Sequence, residues 1–432
     1  MLSSSAANSQ SRLPPEIWTE IFSLASNVPG LMDTDIPDPF SEPNYAPSGQ
    51  CIDVKSVKTF LRTSLAMALV CKHWHSIALP NLYRCVLVQD GRSGESLCRA
   101  LRASKSQAGH PSRALGSRTR HLVLDLQVQS ELMTFGSGLM PWDFKNLPEI
   151  VACLPNLQIL SASINISAYV SRTPYYGAEF ARALTGTCGA SFRKLHLDQN
   201  SIVLFAPQDG HAILSAMPQL RMIVGGDASF GCPSSWPELP HLSSLSGPGN
   251  QCGTCQDVVA AHHTPTAFPS LRTATFRLRY STDTGAHFLA LYGPQLTSVH
   301  VELWKGCARF LDALRTRCPR LEDLRVTLDS EDDAAYLRFL PPVRRLGLAL
   351  GHRVLHSAEA QEKLSRTVHA AIPSSVEEVR VFGCGEGVRL DTFRGRELIG
   401  QPGDAKAPPA ACGVGVSAKP DAPLVMLCAG QS

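Results

Sequence analysis

The chain has 432 residues, 44% of them apolar, and a formal net charge of +3. That length predicts two or three domains with room for a sizeable core. The near-neutral balance argues against nucleic acid and membrane surfaces as partners, and no apolar run reaches the roughly 20 residues that a bilayer-spanning helix needs.

Residues 1–12 are rich in Ser, Ala and Asn and lack an apolar core. They read as disordered and not as a signal peptide. The first predicted element is a helix. Leu13-Pro14-Pro15-Glu16 leads into it, with proline in the first turn, where its missing N–H costs nothing. Glu16 sits near the positive end of the helix dipole. Ile17, Trp18, Ile21, Phe22 and Leu24 then recur at spacings of three and four, forming one apolar stripe. A stretch rich in Pro, Asp, Ser and Gly follows over 27–56 and predicts a flexible loop. A second apolar segment, Phe60 to Ala78, contains Leu69-Val70-Cys71-Lys72-His73-Trp74.

The Leu-Pro entry, the Glu-Ile helix and the Val-Cys-Lys-x-Trp phrase, in this order, resemble an F-box over 13–88. That family binds a Skp-type adaptor and so joins a cullin-RING (SCF) ubiquitin ligase. The resemblance implies that Leu13, Pro14, Ile17, Ile21 and Phe22 face the adaptor and that Leu69, Val70 and Trp74 complete the packed face. The 27–56 stretch departs from it, because an F-box connects its helices more tightly. Ordinary helices of an all-α cap are the alternative reading.

Residues 89–115 read as a linker, with a helix over Glu95 to Lys105. Lys105, Arg113, Arg118 and Arg120 stand among small and polar residues, a solvated pattern and not a nucleic-acid patch. From 116 to 390 a short phrase recurs. It reads Leu154-Pro155-Asn156-Leu157, Met217-Pro218-Gln219-Leu220, Leu239-Pro240-His241-Leu242, Phe268-Pro269-Ser270-Leu271, Gly293-Pro294-Gln295-Leu296 and Cys318-Pro319-Arg320-Leu321. Apolar residues follow the last Leu, the anchor, at three and five positions on. Val299 and Val301 follow Leu296, and Leu324 and Val326 follow Leu321. Without the full phrase, Thr119, Phe192, Val343 and Val376 also anchor copies. The anchors 271, 296 and 321 stand 25 residues apart, and others stand 22 (220 to 242) to 38 (119 to 157) apart.

This periodicity resembles a leucine-rich repeat, whose period is about 20–29 residues. The family's Asn/Cys position eight past the anchor is filled by Asn165, Asn200, Asn250 and Cys384 and by other residues elsewhere, so the match is degenerate. Apolar stretches between the strand phrases, such as Phe310, Leu311 and Leu314, predict one helix per repeat. The expected fold is therefore α/β: all-α helices at the N-terminus, then an irregular β-α solenoid. A compact parallel-sheet domain is the alternative. Residues 391–432, rich in Gly, Ala, Pro and Lys, read as a disordered tail.

Little in the sequence announces chemistry. Fourteen cysteines stand mostly inside apolar runs, as small buried hydrophobes do, and this suits a reducing compartment, cytoplasm or nucleus. Cys252-Gly253-Thr254-Cys255, with His262-His263 after it and Cys232 before it, lacks a second C-x-x-C or a spaced His pair for zinc. A thiol or metal enzyme built on Cys252 and Cys255 stays as an alternative. Gly383-Cys384-Gly385-Glu386-Gly387 lacks the Lys-Ser/Thr of a P-loop and reads as a turn. No cofactor, metal site or catalytic residue is expected.

The function expected from the resemblance is that of an SCF substrate receptor, not an enzyme itself, with adaptor, cullin and an unknown target protein as partners. An interaction scaffold that delivers no ubiquitin is the alternative. In a repeat of this kind, positions two, four and six past the anchor alternate with the inward-pointing ones. They predict a concave target surface including Lys194, His196, Asp198, Arg277, His300, Glu302, Asp323, Arg325, Arg345 and Arg380. Its mixed charge suits a protein partner. Reversing Arg277 and Arg325 together is expected to abolish target capture while leaving adaptor binding and folding intact.

Overall fold

The structure is a computed structural model. It describes residues 13–35, 54–128, 146–166, 177–198, 204–205, 209–225, 236–247, 267–277, 282–303, 307–328, 330–350, 366–367, 375–383 and 413–417. Three helices come first: α1 (Pro15–Ala25), α2 (Val54–Ala68) and α3 (Lys72–Leu82). The chain then alternates between strands and helices. These are β1 (Cys85–Val88), α4 (Gly91–Gln107), β2 (His121–Val128), α5 (Leu147–Val151), β3 (Ile159–Ile166), α6 (Gly177–Cys188), β4 (Lys194–Leu197), α7 (Gly210–Ser215), β5 (Met222–Val224) and β6 (Ser244–Ser246). After them come β7 (Thr273–Arg277), α8 (Thr282–Tyr292), β8 (Ser298–Glu302), α9 (Ala308–Arg317), β9 (Asp323–Leu328), a 3₁₀ helix (Glu331–Phe339), β10 (Arg345–Leu350), β11 (Glu378–Gly383) and β12 (Gly413–Ser417).

All twelve strands belong to one sheet in chain order. Neighbours from β1 to β11 pair parallel, and β12 runs antiparallel to β11. A parallel pair needs a crossover, and among the described residues helices α4 to α9 lie in several of them. One face of the sheet is apolar. Leu122 and Leu124, Leu160 and Ala162, Leu195 and Leu197, Val299 and Val301, and Leu324 and Val326 stand three and five residues past their anchors. They share one core with Leu101, Leu184, Leu214, Leu289, Leu311 and Leu314 of the helices. A fully buried side chain of this size contributes about 1.5–3 kcal/mol.

The recurring Pro phrase has a local cause. Each anchor N–H donates to the carbonyl three residues back. Leu157 donates to Leu154 (3.2 Å), Leu220 to Met217 (3.1 Å), Leu271 to Phe268 (3.1 Å) and Leu321 to Cys318 (3.2 Å). The proline is then residue i+1 of a tight turn, where its fixed φ is an advantage. The carbonyl just past each anchor accepts from two successive N–H groups of the next repeat. Gln158 and Ile159 donate to Arg120 at 2.8 and 2.9 Å, and Arg193 and Lys194 donate to Gln158 at 2.8 and 3.0 Å. The pattern continues to Glu377 and Glu378, which donate to Arg344 at 2.8 and 3.2 Å. Repeats of unequal length therefore start their strands in register.

Three expectations about boundaries change. The sheet begins at Cys85, not near 116, and the supposed linker 89–115 holds α4, whose Cys98 and Leu101 are core residues. Residues 27–35 of the supposed flexible loop lie against the protein: Leu31 is buried, packed with Val57, Phe60, Cys85 and Val123. Within the tail read as disordered, Gly413–Ser417 forms β12. The helix expected around 334–340 is 3₁₀. Asn200, Asn250 and Cys384 lie outside the described residues.

Gly225 closes β5 with φ +71, and a Cβ there would sit 1.8 Å from the Leu197 carbonyl oxygen. Gly225→Ala therefore meets both a left-handed backbone and a main-chain overlap. We expect it to cost about 1–3 kcal/mol in backbone strain and about as much again in displaced packing. The urea unfolding midpoint reads this; an unchanged midpoint would mean that the two strands can separate freely.

Candidate functional site

Two surfaces stand out, at opposite extremes of exposure. The first is on α1–α3. Trp18, Phe22 and Trp74 form an aromatic cluster, with Phe22 and Trp18 rings each 4.9 Å from Trp74. Ala68 and Ala78 complete this small core. Cys71, in extended backbone, caps α3 by accepting from the Trp74 N–H at 3.4 Å. That cap divides the second apolar segment into α2 and α3 and turns Leu69 and Val70 outward. Leu13, Ile17, Ile21, Leu24, Leu65, Leu69 and Val70 are the large hydrophobic side chains exposed among the described residues, and all seven lie here. Leu69 is 72% exposed and Ile17 47%. An apolar surface concentrated in this way marks an interaction site.

Of the residues assigned to this face from sequence, Leu13, Pro14, Ile17, Ile21, Leu69 and Val70 are exposed. Trp74 is half-buried. Phe22 is 1% exposed and sits beneath the two tryptophans, so it supports the surface from below and does not face outward.

The second surface is the sheet face opposite the helical core. At its start α2 covers it: Val57 and Phe60 pack on Cys85 and Val123, which alternate with the core-facing Val86, Leu122 and Leu124. Residues 31–35 continue along it. Lys194 Nζ donates to the Asp33 carbonyl at 3.2 Å, and Arg221 Nη1 pairs with Asp35 at 2.6 Å. Beyond them the face is polar. His196, Arg277, His300, Glu302, Asp323 and Arg325 all lie there, each no more than 9% exposed.

These six were expected on an open, solvated surface, and the structure buries them. Burial in turn demands partners. Arg345 Nε and Nη2 grip Asp323 in a fork, both at 2.5 Å. Arg277 lies 3.3 Å from Glu302, and Arg380 lies 2.5 Å from Glu378. His300 Nε2 meets Thr327 Oγ1 at 2.9 Å. Asp198 accepts from Ser163 Oγ at 2.9 Å and the Ile164 N–H at 3.2 Å. Reversing Arg277 would place a carboxylate beside buried Glu302, and Arg325 is itself buried, so that double substitution cannot be expected to spare folding.

Sequence reasoning missed His121. It is fully buried, with Nε2 3.0 Å from Ser161 Oγ. Burial, and then the nearby Lys194, holds its pKa down at about 3. His196 is held at about 3 by burial, Lys194 and Arg277. Burial, Arg325 and Arg277 hold His300 well below its usual range. All three imidazoles are neutral near pH 7.

Cys232, Cys252, Cys255, His262 and His263 lie outside the described residues. Among the described residues no group of three or more His, Cys, Asp or Glu is placed to hold a metal, and no helix is long and apolar enough to cross a membrane. Burial pushes the thiols of Cys85, Cys188 and Cys318 up to about 12, which keeps them protonated and poorly nucleophilic. The chain matches no protein-family model, and no curated protein is significantly similar to it.

Proposed function

We propose that this chain is the substrate-recognition subunit of an SCF-type cullin-RING ubiquitin ligase. In this reading α1–α3 are an F-box that docks on a Skp-type adaptor. The twelve-stranded sheet and its helices are an irregular leucine-rich-repeat solenoid that holds a target protein. The chain itself performs no chemistry, because ubiquitin transfer belongs to the partner subunits. It works in the cytoplasm or nucleus, where those partners are.

One observation carries the reading. The exposed apolar side chains gather on the unit that resembles an F-box, at Leu13, Ile17, Ile21, Leu69 and Val70. The repeated x-Pro-x-Leu turn and the chain-order parallel strands support the solenoid.

Ile17→Asp with Leu69→Asp alters two exposed positions and so leaves the fold in place. Each side chain buried on docking is worth about 1.5–3 kcal/mol, so the pair should weaken adaptor binding by at least about a hundredfold. Co-purification from cells reads it. Wild type is expected to bring down adaptor and cullin together, and the double variant neither. Recovery of adaptor without cullin would favour the scaffold, and undiminished adaptor recovery would remove the F-box reading.

A further inference from the structure

Residues 28–35 belong to the stretch by which the chain departs from the F-box resemblance, yet they are fastened to the sheet. A turn leads them out of α1. The Leu31 N–H donates to the Val28 carbonyl at 3.2 Å, and Gly30 has φ +78. Proline at the second position and a positive-φ glycine at the third are the signature of a type II turn. The turn seats Leu31 among Val57 and Phe60 of α2, Cys85 of β1 and Val123 of β2, with Val28 and Met32 packed at the margin. The backbone of Leu31 also bears on the ring of His121, which shares the face of Val123. Farther along, Lys194 of β4 donates to the Asp33 carbonyl at 3.2 Å, and Arg221, just ahead of β5, pairs with Asp35 at 2.6 Å. The chain from Leu31 to Asp35 reaches at most about 14 Å. Strands β2 to β5 lie side by side at spacings of about 4.8 Å, so the segment is just long enough to cross them.

The cluster that receives Leu31 is separate from the sheet core and from the aromatic core of α1–α3. The far end is wet: Asp35 is 74% exposed and Arg221 38%, and exposed ion pairs hold weakly. A segment held by one buried leucine and surface contacts opens more readily than a core strand. Burial of one leucine favours the seated form by about ten- to a hundredfold.

We propose that residues 28–35 are a releasable strap, an internal occupant of the β2–β5 end of the polar face, which lifts as a unit while the sheet stays folded. Seated, it denies that end of the face to any partner. Lifted, it uncovers His121, Lys194 and Arg221 and leaves α1 resting on its aromatic contacts with Trp74. A partner that takes this end must displace the strap, so its apparent affinity is reduced about ten- to a hundredfold by the scarcity of the lifted form. The strap does not depend on the proposed function.

Amide exchange and His ring NMR on the full chain test it. In the wild type the Leu31 amide is expected to exchange about ten- to a hundredfold slower than an open chain. The Leu122 and Leu124 amides of β2 should exchange far more slowly and with a steeper urea dependence. Leu31→Ser should keep those β2 amides slow and remove the protection at position 31. It should also raise the His121 titration from about 3 toward 6.5, with Lys194 and His196 still holding it somewhat below. Exchange of Leu31 together with β2, with one urea dependence, would make the segment part of the global fold and overturn the proposal. An unmoved His121 titration in Leu31→Ser also overturns it, because something other than the strap then covers the ring. Should that variant not fold, the wild-type exchange pattern decides by itself. Adaptor recovery enters no arm, so the strap and the F-box reading fail separately.

Discussion

Acidification from pH 7.5 to 5 is expected to remove at least about 4 kcal/mol of the stability of this protein. His121 and His196 have folded pKa values near 3, and His300 is also held well below the usual 6.5. The unfolded chain binds protons at all three sites as pH falls through 6.5, while the folded chain binds none until far lower. Stability contributed by a depressed pKa is present above the unfolded value and lost as pH falls toward the folded one. At pH 5 His121 and His196 have each cost about 2 kcal/mol, about 4 together when they act independently, and His300 adds to the loss in the same direction, against a typical total of about 5–15 kcal/mol. Urea titrations at pH 7.5 and 5 read the difference, and His196→Gln should shrink it by about 2 kcal/mol. Equal unfolding free energies at the two pH values would show that these imidazoles are solvated in the folded state.

Phe22→Ala is expected to destabilise the helical unit by about 3–5 kcal/mol, the usual cost of emptying a buried aromatic site. Phe22 is the one buried residue in the short helix α1, and through it and Trp18 the helix rests on Trp74 of α3. Its loss should detach α1, seen as fast amide exchange over Pro15–Ala25 together with a lower melting temperature. Binding of the proposed adaptor should fall as well, but for a different reason than in Ile17→Asp with Leu69→Asp, which should leave both readouts unchanged. Slow exchange in α1 of Phe22→Ala would mean that the exposed stripe holds the helix by contacts absent from this packing.

Much of the architecture was legible in the letters. The x-Pro-x-Leu phrase specifies a turn because proline presets one dihedral and the anchor N–H finds the carbonyl three back, a purely local bargain. The apolar pairs at +3 and +5, such as Val299 and Val301, follow from strand alternation and settle in the core as expected. The stripe of Ile17, Ile21 and Leu24 is local too, and its exposure leaves helical spacing as the whole of its signal.

Other features depended on contacts between distant segments. Leu79-Pro80-Asn81-Leu82 reads like Leu154-Pro155-Asn156-Leu157, yet the first ends helix α3 and the second makes a turn. The anchor place of the first strand is Tyr83, one residue past that phrase, because Arg84 accepts from the Arg120 and His121 N–H groups and Val86 and Val88 enter the core, so strand β1 falls outside the x-Pro-x-Leu pattern. Residues 31–35 look like linker because their composition is polar, but Leu31 gains a buried place only once Cys85 and Val123 are assembled beside α2. The polar face shows the same division most clearly. Strand alternation alone determined that His196, Arg277, His300 and Arg325 share one side of the sheet. Whether that side is wet or dry depends on how many neighbouring strands crowd each side chain. Only the assembled sheet decided that these side chains are buried, because burial is a sum over residues far apart in the chain.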